Sequence, residues 1–299
     1  MSILVLGTVA IDSVKTPAGV REELLGGSAA HFSMSARLFT KVNIVADVGE
    51  DFPEKYMDFL RKKDINLKSL TKRKGKTFRW RGEYQGDLNT ALTLNTELGV
   101  LGMYRPAVSK EQRRIKNVFL ANLGPDVQFE ILSQMQKPEF IGLDSMNLWI
   151  AHQRRDLLKL LKKVDVYVAN DQEARDLSEE KNLLSAAKRL RKFGPKLIVI
   201  KKGEHGVIFY SDRFVFCLPG YPIEKVIDPT GAGDTFAGGF MGFLSRVKRV
   251  QENALRQAVA YGTICASFNV MGFGMSRTAQ LSLADVELRL KNFRKIIFL

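Results

Sequence analysis

Residues 228–236, with the sequence Asp-Pro-Thr-Gly-Ala-Gly-Asp-Thr-Phe, combine a glycine-rich turn with a carboxylate. The apolar run 236–244 that follows is typical of a buried helix. Unpaired backbone amides and the helix dipole both attract an anion at such a helix start, so we expect the amides of 231–234 to form an anion site. Asp234 would repel that anion unless it removes a proton from the group that attacks it. The stretch therefore predicts phosphoryl transfer with Asp234 as general base, although a helix cap with close-packed glycines remains an alternative.

The rest of the chain alternates short apolar runs with amphipathic segments, which predicts an α/β fold with a mainly parallel central sheet and helices on both faces. In such sheets ligands gather at the carboxyl ends of the strands, where Asp144, Asn170 and Gly203 are expected. The predicted strands are Ile3–Gly7, Val42–Val48, Val118–Ala121, Phe140–Asp144, Val164–Ala169, Leu197–Ile200, Val207–Tyr210 and Phe214–Leu218. The predicted helices cover 28–38, 53–62, 128–136, 154–161, 172–177 and 183–193.

Two segments, about 12–25 and 76–104, interrupt this alternation, and residues 77–84 alternate as a strand does. They predict a small β lid on a single domain that covers residues 1–299, because insertions on a rigid α/β core commonly form lids or binding loops. An exposed edge of the lid would also allow a homodimer to form through it.

Composition and charge restrict the class of protein. No apolar run approaches the roughly 20 residues of a membrane span, and the first residues lack the basic region and cleavage site of a signal peptide. Two cysteines fit a reducing compartment, so we expect a cytoplasmic protein without a membrane partner. The net charge of +14 lies largely in runs with helical periodicity, at 110–116, 154–163 and 188–196. Solvated helix faces are the favoured interpretation; a field that attracts anionic nucleotide is another, and nucleic-acid binding is disfavoured because no aromatic residues are interleaved.

The sequence Asp-Pro-Thr-Gly-Ala-Gly-Asp-Thr-Phe-Ala-Gly-Gly-Phe at 228–240 resembles the C-terminal signature of the PfkB, or ribokinase-like, family of carbohydrate and nucleoside kinases. Gly-Gly-Ser-Ala-Ala at 26–30 resembles the family's N-terminal Gly-Gly motif, and Asn-Asp-Gln-Glu at 170–173 its Asn-x-x-Glu motif. Gly-Glu-His-Gly at 203–206 lies where the family has its nucleotide-loop glycines. These matches follow the family order across residues 7–240, so the resemblance covers nearly the whole chain.

The resemblance implies a role for each matching position. Asp234 would be the catalytic base, with an anion hole formed by Gly231, Ala232 and Gly233. Glu173 would hold Mg²⁺, in the main through water. ATP would be bound by Asn170, Lys201, Gly203, Gly206 and Thr230. The acceptor would be bound by Asp12, Gly26, Gly27, Ser28 and His31. Activation by a monovalent cation is left open.

Three positions depart from the family pattern. His31 stands where members often carry asparagine, and a packed helix residue is the alternative there. Lys201 replaces the expected threonine of the nucleotide loop, and Lys202 follows it. Asp-Ser-Met-Asn at 144–147 only loosely resembles an Asp-x-Asn-x-Arg stretch and has no arginine in place, which disfavours a phosphorylated acceptor.

The sequence thus favours an ATP-dependent kinase that phosphorylates a hydroxyl of a sugar or sugar-like molecule. One alternative is a nucleoside kinase of the same fold, for which an apolar base pocket would be needed. The aromatic or apolar candidates for that pocket are Phe32, Trp80, Tyr84 and Met103. A second alternative is a non-catalytic sugar or nucleotide binder, which the retained Asp234 and Glu173 disfavour.

Overall fold

The strands of the larger sheet are short aliphatic runs, because helices cover both faces and leave no side for polar residues. The computed structural model describes residues 1–86 and 88–297. Asp87, within the predicted lid segment 76–104, and residues 298–299 of the predicted domain 1–299 lie outside the described residues.

The strands of the described ranges are β1 (Ser2–Leu6), β2 (Ala10–Thr16), β3 (Gly19–Gly26), β4 (Lys41–Gly49), β5 (Asn66–Arg73), β6 (Arg79–Tyr84), β7 (Ala91–Glu97), β8 (Asn117–Leu120), β9 (Phe140–Asp144), β10 (Val166–Asn170), β11 (Leu197–Lys201), β12 (Val207–Tyr210) and β13 (Val215–Leu218). The helices are α1 (Ser28–Ala36), α2 (Glu54–Lys62), α3 (Pro125–Gln134), α4 (Asn147–His152), α5 (Arg154–Leu161), α6 (Asp171–Ser178), α7 (Leu183–Lys192), α8 (Ala232–Leu244), α9 (Glu252–Asn269) and α10 (Leu283–Ile297).

The larger sheet has the strand order β13-β12-β11-β10-β9-β8-β1-β4-β5. Its pairs are parallel from β5 to β11, and β12 and β13 continue the sheet in antiparallel fashion. The predicted α/β fold with a mainly parallel sheet is therefore confirmed. The carboxyl ends of β9, β10 and β11 bring Asp144, Asn170 and Lys201 to one edge of the sheet.

A second, smaller sheet has the order β3-β2-β6-β7, with β2 and β6 parallel and the outer pairs antiparallel. We call this sheet the lid. Asp51, just after β4, accepts hydrogen bonds from the Thr77 amide and hydroxyl, both at 2.7 Å, where the chain enters β6. The Thr16 hydroxyl at the end of β2 donates to the Ile227 carbonyl at 2.8 Å. These bonds tie the lid to both sides of the cleft that it borders.

Helix α8 lies in the core, and its glycines allow its neighbours to approach closely. A Cβ atom on Gly238 would lie 2.1 Å from the Phe32 carbonyl oxygen, and one on Gly242 would lie 2.9 Å from the Ala36 Cα, both in α1. On the other side, a Cβ on Gly239 would lie 3.0 Å from the Cys265 sulfur of α9. Packing on both sides therefore fixes where α8 begins.

No helix within residues 1–86 and 88–297 has both the length and the apolar character needed to cross a membrane.

Candidate active site

The glycine-rich turn predicted to bind an anion is the start of α8. Gly231 is its N-cap residue and has φ 73°, a left-handed conformation that favours glycine. A Cβ atom there would also lie 2.2 Å from Cγ of His31, so space as well as conformation requires glycine. No side chain caps this first turn. The Ala232 amide donates to the Pro229 carbonyl at 3.1 Å, and the Gly233 amide, one residue further into the helix, is the first-turn donor that an anion can use.

Two buried polar residues hold this turn in shape. The Asp228 carboxylate, 1% exposed, accepts hydrogen bonds from the amides of Thr230 and Gly274, both at 2.9 Å. The Asn269 side chain donates to the Thr230 carbonyl at 2.8 Å and accepts a bond from the Thr235 hydroxyl at 3.0 Å. Both side chains therefore connect the loop to the segment that follows α9.

His31, predicted to bind the acceptor, is 2% exposed and lies beneath the turn. Its Nδ1 is 3.3 Å from Oδ1 of Asn269, and its ring occupies the space that a side chain at 231 would need. Burial lowers the pKa of His31, against the opposing charge of Asp228, so the ring is held neutral. Its contacts match the packed helix residue that the sequence left as the alternative.

Asp234 lies in the first turn of α8 and is partly exposed to the cleft. Burial is the main cause that raises the pKa of Asp234 to about 7, and repulsion from Asp144 adds to it, while Lys201 acts in the opposite direction. A carboxyl group with a pKa near neutrality is well matched to accept a proton during a reaction at physiological pH.

Lys201 points from the end of β11 toward the same turn. Its Nζ is 3.3 Å from Oδ2 of Asp144 and 2.8 Å from where a Cβ atom of Gly233 would be. Burial lowers the pKa of Lys201, but Asp144, Glu173 and Asp234 outweigh that effect, so the pKa is raised and the ammonium stays charged. A buried cation thus stands beside the anion-binding amides.

Asn170 and Glu173 form a reciprocal capping box at the start of α6. The Glu173 amide donates to the Asn170 side chain, and the Asn170 amide donates to Glu173 Oε2, both at 2.8 Å. Burial and repulsion from Asp144 raise the pKa of Glu173 to about 8. The two predicted residues are therefore brought together, with Glu173 oriented by a bond to the backbone.

The predicted nucleotide loop is a tight turn after β11. Gly203 and Gly206 have φ values of 56° and 83°, and the Lys202 amide donates to the Gly206 carbonyl at 2.7 Å. A Cβ atom on Gly203 would lie 2.5 Å from the side chain of Asn89, which is in the β6–β7 connection. The lid therefore reaches the nucleotide loop as well as the acceptor side.

Asp12 and the Gly26–Gly27 pair line the acceptor side of the cleft. Oδ2 of Asp12 lies 1.9 Å from where a Cβ atom of Gly26 would be, so the carboxylate lies against this backbone. Burial, together with Asp228 and Asp234, raises the pKa of Asp12 to about 7, although the Gly27 amide stabilises the charge. The Ser28 amide and hydroxyl instead bond to Thr8, at 2.8 and 3.1 Å, and join β1 to α1.

Of the four candidates for a base pocket, two line the cleft. Phe32 is fully buried and stacks on Phe119 in the core, whereas Met103 is 73% exposed. Tyr84 receives a hydrogen bond from the Thr230 hydroxyl at 3.4 Å, and burial raises its pKa to about 12. Trp80 lies two positions before Gly82 on the same strand and is partly exposed.

The sequence predicted Asp144 at the ligand-binding edge of the sheet, but it assigned no site role to Asp228 and Asn269. Asp228 lies inside the signature itself, and its position directly before Pro229 is a signal of a turn that a carboxylate can hold. Asn269 carries no such signal, because it is distant in sequence from every residue that it supports.

Comparisons with known proteins agree on one family. The model of the family described as pfkB family carbohydrate kinase matches residues 4–280. Cytidine kinase from Thermococcus kodakarensis is 31% identical over 259 residues, which are 84% of this chain and 91% of that protein.

Solved structures share the fold at lower identity. The nucleoside kinase of Methanocaldococcus jannaschii superposes with a TM-score of 0.78 at 20% identity, covering 97% of this chain and 98% of that one. Aminoimidazole riboside kinase from Salmonella enterica, complexed with aminoimidazole riboside and an ATP analog, gives 0.77 at 17% identity and covers 97% and 100% of the two chains.

The raised pKa of Asp234 predicts a pH-dependent effect of Asp234→Asn on stability. The folded-state pKa of about 7 exceeds the ordinary aspartate pKa of 3.8, so the folded protein holds an extra proton between these two pH values and loses stability as pH rises through them. The asparagine variant lacks this loss. Its free energy of unfolding should equal that of the parent near pH 4 and exceed it at pH 8 by about 1–2 kcal/mol, since partial exposure reduces the full effect of the pKa shift.

Urea denaturation at pH 4, 6 and 8 measures this difference. Asp58→Asn, on the exposed side of α2, is the matched control and should show no gain at pH 8. If the stability difference between Asp234→Asn and the parent does not grow from pH 4 to pH 8, the surroundings of Asp234 do not favour its neutral form.

Proposed function

Because this chain belongs to the pfkB family of carbohydrate kinases, we propose that it transfers the γ-phosphoryl group of ATP to a hydroxyl of a sugar or sugar-like molecule, with Asp234 as the general base. The observation that carries this proposal is the meeting of three groups at the start of α8. They are the uncapped first turn with its Gly233 amide, the Lys201 ammonium and the Asp234 carboxylate. An anion site with a base of pKa near 7 beside it is suited to phosphoryl transfer to an alcohol.

In this mechanism the acceptor hydroxyl lies between Asp234 and the γ-phosphorus. Its oxygen forms a bond to phosphorus as the bond from phosphorus to the β,γ-bridging oxygen breaks, and ADP leaves. The hydroxyl proton passes to Asp234. The Gly233 amide and the Lys201 ammonium stabilise the charge on the phosphoryl oxygens, because they are held in place before the reaction begins.

We assign the acceptor side to Asp12 with the backbone of Gly26 and Gly27. A carboxylate accepts hydrogen bonds from paired hydroxyls, which aligns one hydroxyl with Asp234 across the cleft. Proximity between the two carboxyl groups is supported by the effect of the Asp234 charge, which helps to raise the pKa of Asp12. Ser28 and His31 support this region from behind, through Thr8 and Asn269 respectively.

We assign the nucleotide side to the turn at Gly203 and Gly206 and to Asn170, with Thr230 next to the anion site. Among the residues that the structure describes, no three His, Cys, Asp or Glu side chains are grouped as metal ligands. Glu173 still fits Mg²⁺, because its carboxylate is oriented by the Asn170 amide and because a cation would offset the burial and the repulsion from Asp144 that raise its pKa. Glu173 would hold this ion largely through water, and the ion would supply charge neutralisation for the phosphates.

Replacement of Asp234 by asparagine tests the assignment of the base. Loss of general-base catalysis should lower kcat by about 10²- to 10⁴-fold, while ATP binding stays nearly unchanged. ADP release with a panel of sugars and nucleosides gives kcat, and isothermal titration gives ATP affinity. Asp58→Asn should keep parental turnover, and unchanged turnover in Asp234→Asn would exclude this mechanism. A parent that binds ATP and an acceptor but releases no ADP would instead be a non-catalytic binder.

Lys201→Met tests whether the buried ammonium binds the transferred group. The change removes the cation and leaves Asp144, Glu173 and Asp234 facing the phosphates, so kcat/KM for ATP should fall by roughly 10²-fold. Lys202→Met is the matched control at the adjacent position and should stay near the parental value. Equal effects of the two substitutions would show that only the general positive charge of the strand end matters.

We further propose that the lid pairs with the lid of a second copy. Its outer strands β3 and β7 carry the exposed apolar residues Val20, Leu92 and Leu94, which are 47%, 57% and 49% exposed. Light scattering after size exclusion should give a dimer of the 33.6 kDa chain, and Leu94→Lys should shift it to monomer. Leu288→Lys, on the exposed side of α10, should leave the dimer intact, and a monomeric parent would contradict the proposal.

A further inference from the structure

One face of the lid is turned toward the cleft, and the alternation of β6 identifies it. Tyr84 on this strand meets Thr230 of the anion loop, so residues two and four positions earlier, Gly82 and Trp80, share the cleft-facing side. Arg81 and Glu83 alternate with them and form ion pairs with Glu22 and Lys15 on the opposite side. The cleft-facing side of β6 therefore carries two aromatic residues, Trp80 and Tyr84, with Gly82 between them.

The Trp80 indole lies over Gly82. A Cβ atom on Gly82 would come within 2.2 Å of both Cη2 and Cζ2 of the indole, so only glycine leaves room for the ring. Nε1 donates to the Thr93 hydroxyl of β7 at 3.2 Å, which fixes the ring from the other end. The side chain is nonetheless partly exposed. An aromatic surface is therefore held in place at the cleft by its own strand and its neighbour.

Asp12 lies on the neighbouring strand, at the position paired with Trp80. Asp12 of β2 and Trp80 of β6 are register partners in a parallel pair, and neighbouring strands lie about 4.8 Å apart. The same region therefore offers a carboxylate for paired hydroxyls and, next to it, an aromatic face. A free sugar needs the first of these, whereas a ribose that carries a planar base uses both, because every nucleobase presents a π-face for stacking.

We propose that Trp80 is a stacking platform for a heterocyclic base and that the acceptor of this enzyme is a nucleoside. The proposal rests on the kinase function given above and specifies its substrate class. The ribose diol binds Asp12, the base stacks on the indole, and the remaining ribose hydroxyl faces Asp234. Gly82 is the position that makes the platform, because any larger residue displaces the ring.

Binding can be followed without any enzymatic turnover, since the chain has two tryptophans, Trp80 and Trp149. Trp149→Phe leaves Trp80 as the sole indole. Titration of this variant with cytidine or adenosine should quench the Trp80 emission by base stacking, and ribose should not. Equal responses to ribose and to both nucleosides, or no response to either nucleoside, would overturn the proposal.

Affinity measurements with Trp80 variants separate stacking from a structural role of the ring. Trp80→Ala should weaken the binding of the preferred nucleoside roughly 10- to 100-fold, and Trp80→Phe should restore most of it. Ribose affinity should stay at the parental level in both variants. An equal loss for ribose and nucleoside would mean that Trp80 only holds the lid in shape. Circular dichroism melts of both variants verify that the lid substitutions leave the fold intact.

The outcomes distinguish this inference from the function on which it rests. Quenching by nucleosides in a protein that phosphorylates none of them would support base stacking on Trp80 and contradict the kinase function. Turnover that depends on Asp234 but is equally efficient with ribose and nucleosides would support the kinase function and contradict base stacking on Trp80.

Discussion

Close packing of α8 between α1 and α9 is the constraint on which the site depends. Gly238 and Gly242 have no space for a side chain against α1, so the axis of α8 is set by backbone contact rather than by adjustable side chains. The first turn of that helix carries both the anion-binding amides and Asp234. Because the helix cannot shift, the amides and the carboxylate keep one geometry, as preorganised catalysis requires.

Charge balance around Lys201 is the second constraint. Asp144, Glu173 and Asp234 all act on this ammonium, and repulsion from Asp144 raises the pKa of both Glu173 and Asp234. The single charge of Lys201 does not balance the charges of all three carboxylates. In the function proposed above, phosphates bound at Lys201 and the first turn would arrive with Mg²⁺, and that cation would offset the charge of the carboxylates. Affinity for the nucleotide and ionisation of the base are thereby coupled.

Sequence reasoning succeeds where chemistry is local. The turn at 231–234, the Asn170–Glu173 pair and the buried strands Phe140–Asp144 and Leu197–Lys201 are all specified within a few residues. It fails where partners are distant along the chain. The sequence left His31 either as an acceptor contact or as a packed helix residue, and it could not indicate that the ring lies under Gly231, two hundred positions away, or that its partner is Asn269, which is further still. No periodicity or motif reports such contacts, because they arise only when α1, α8 and α9 are packed together.

The sheet and the lid carry different parts of the proposed site, so the acceptor side can vary while the catalytic turn stays the same. The proposed base Asp234, the first-turn amides and Lys201 all lie on elements of the core, whereas Asp12, Trp80 and Tyr84 lie on lid strands. Tyr84 bonds to Thr230 of the anion loop and shares the lid face with Trp80, so the lid is seated on the catalytic turn itself. If β6 binds the acceptor as proposed, a residue exchange on this strand would change the acceptor without disturbing Asp234. An acceptor bound against the lid face would also be aligned with Asp234, because the lid contacts the same turn that carries Asp234.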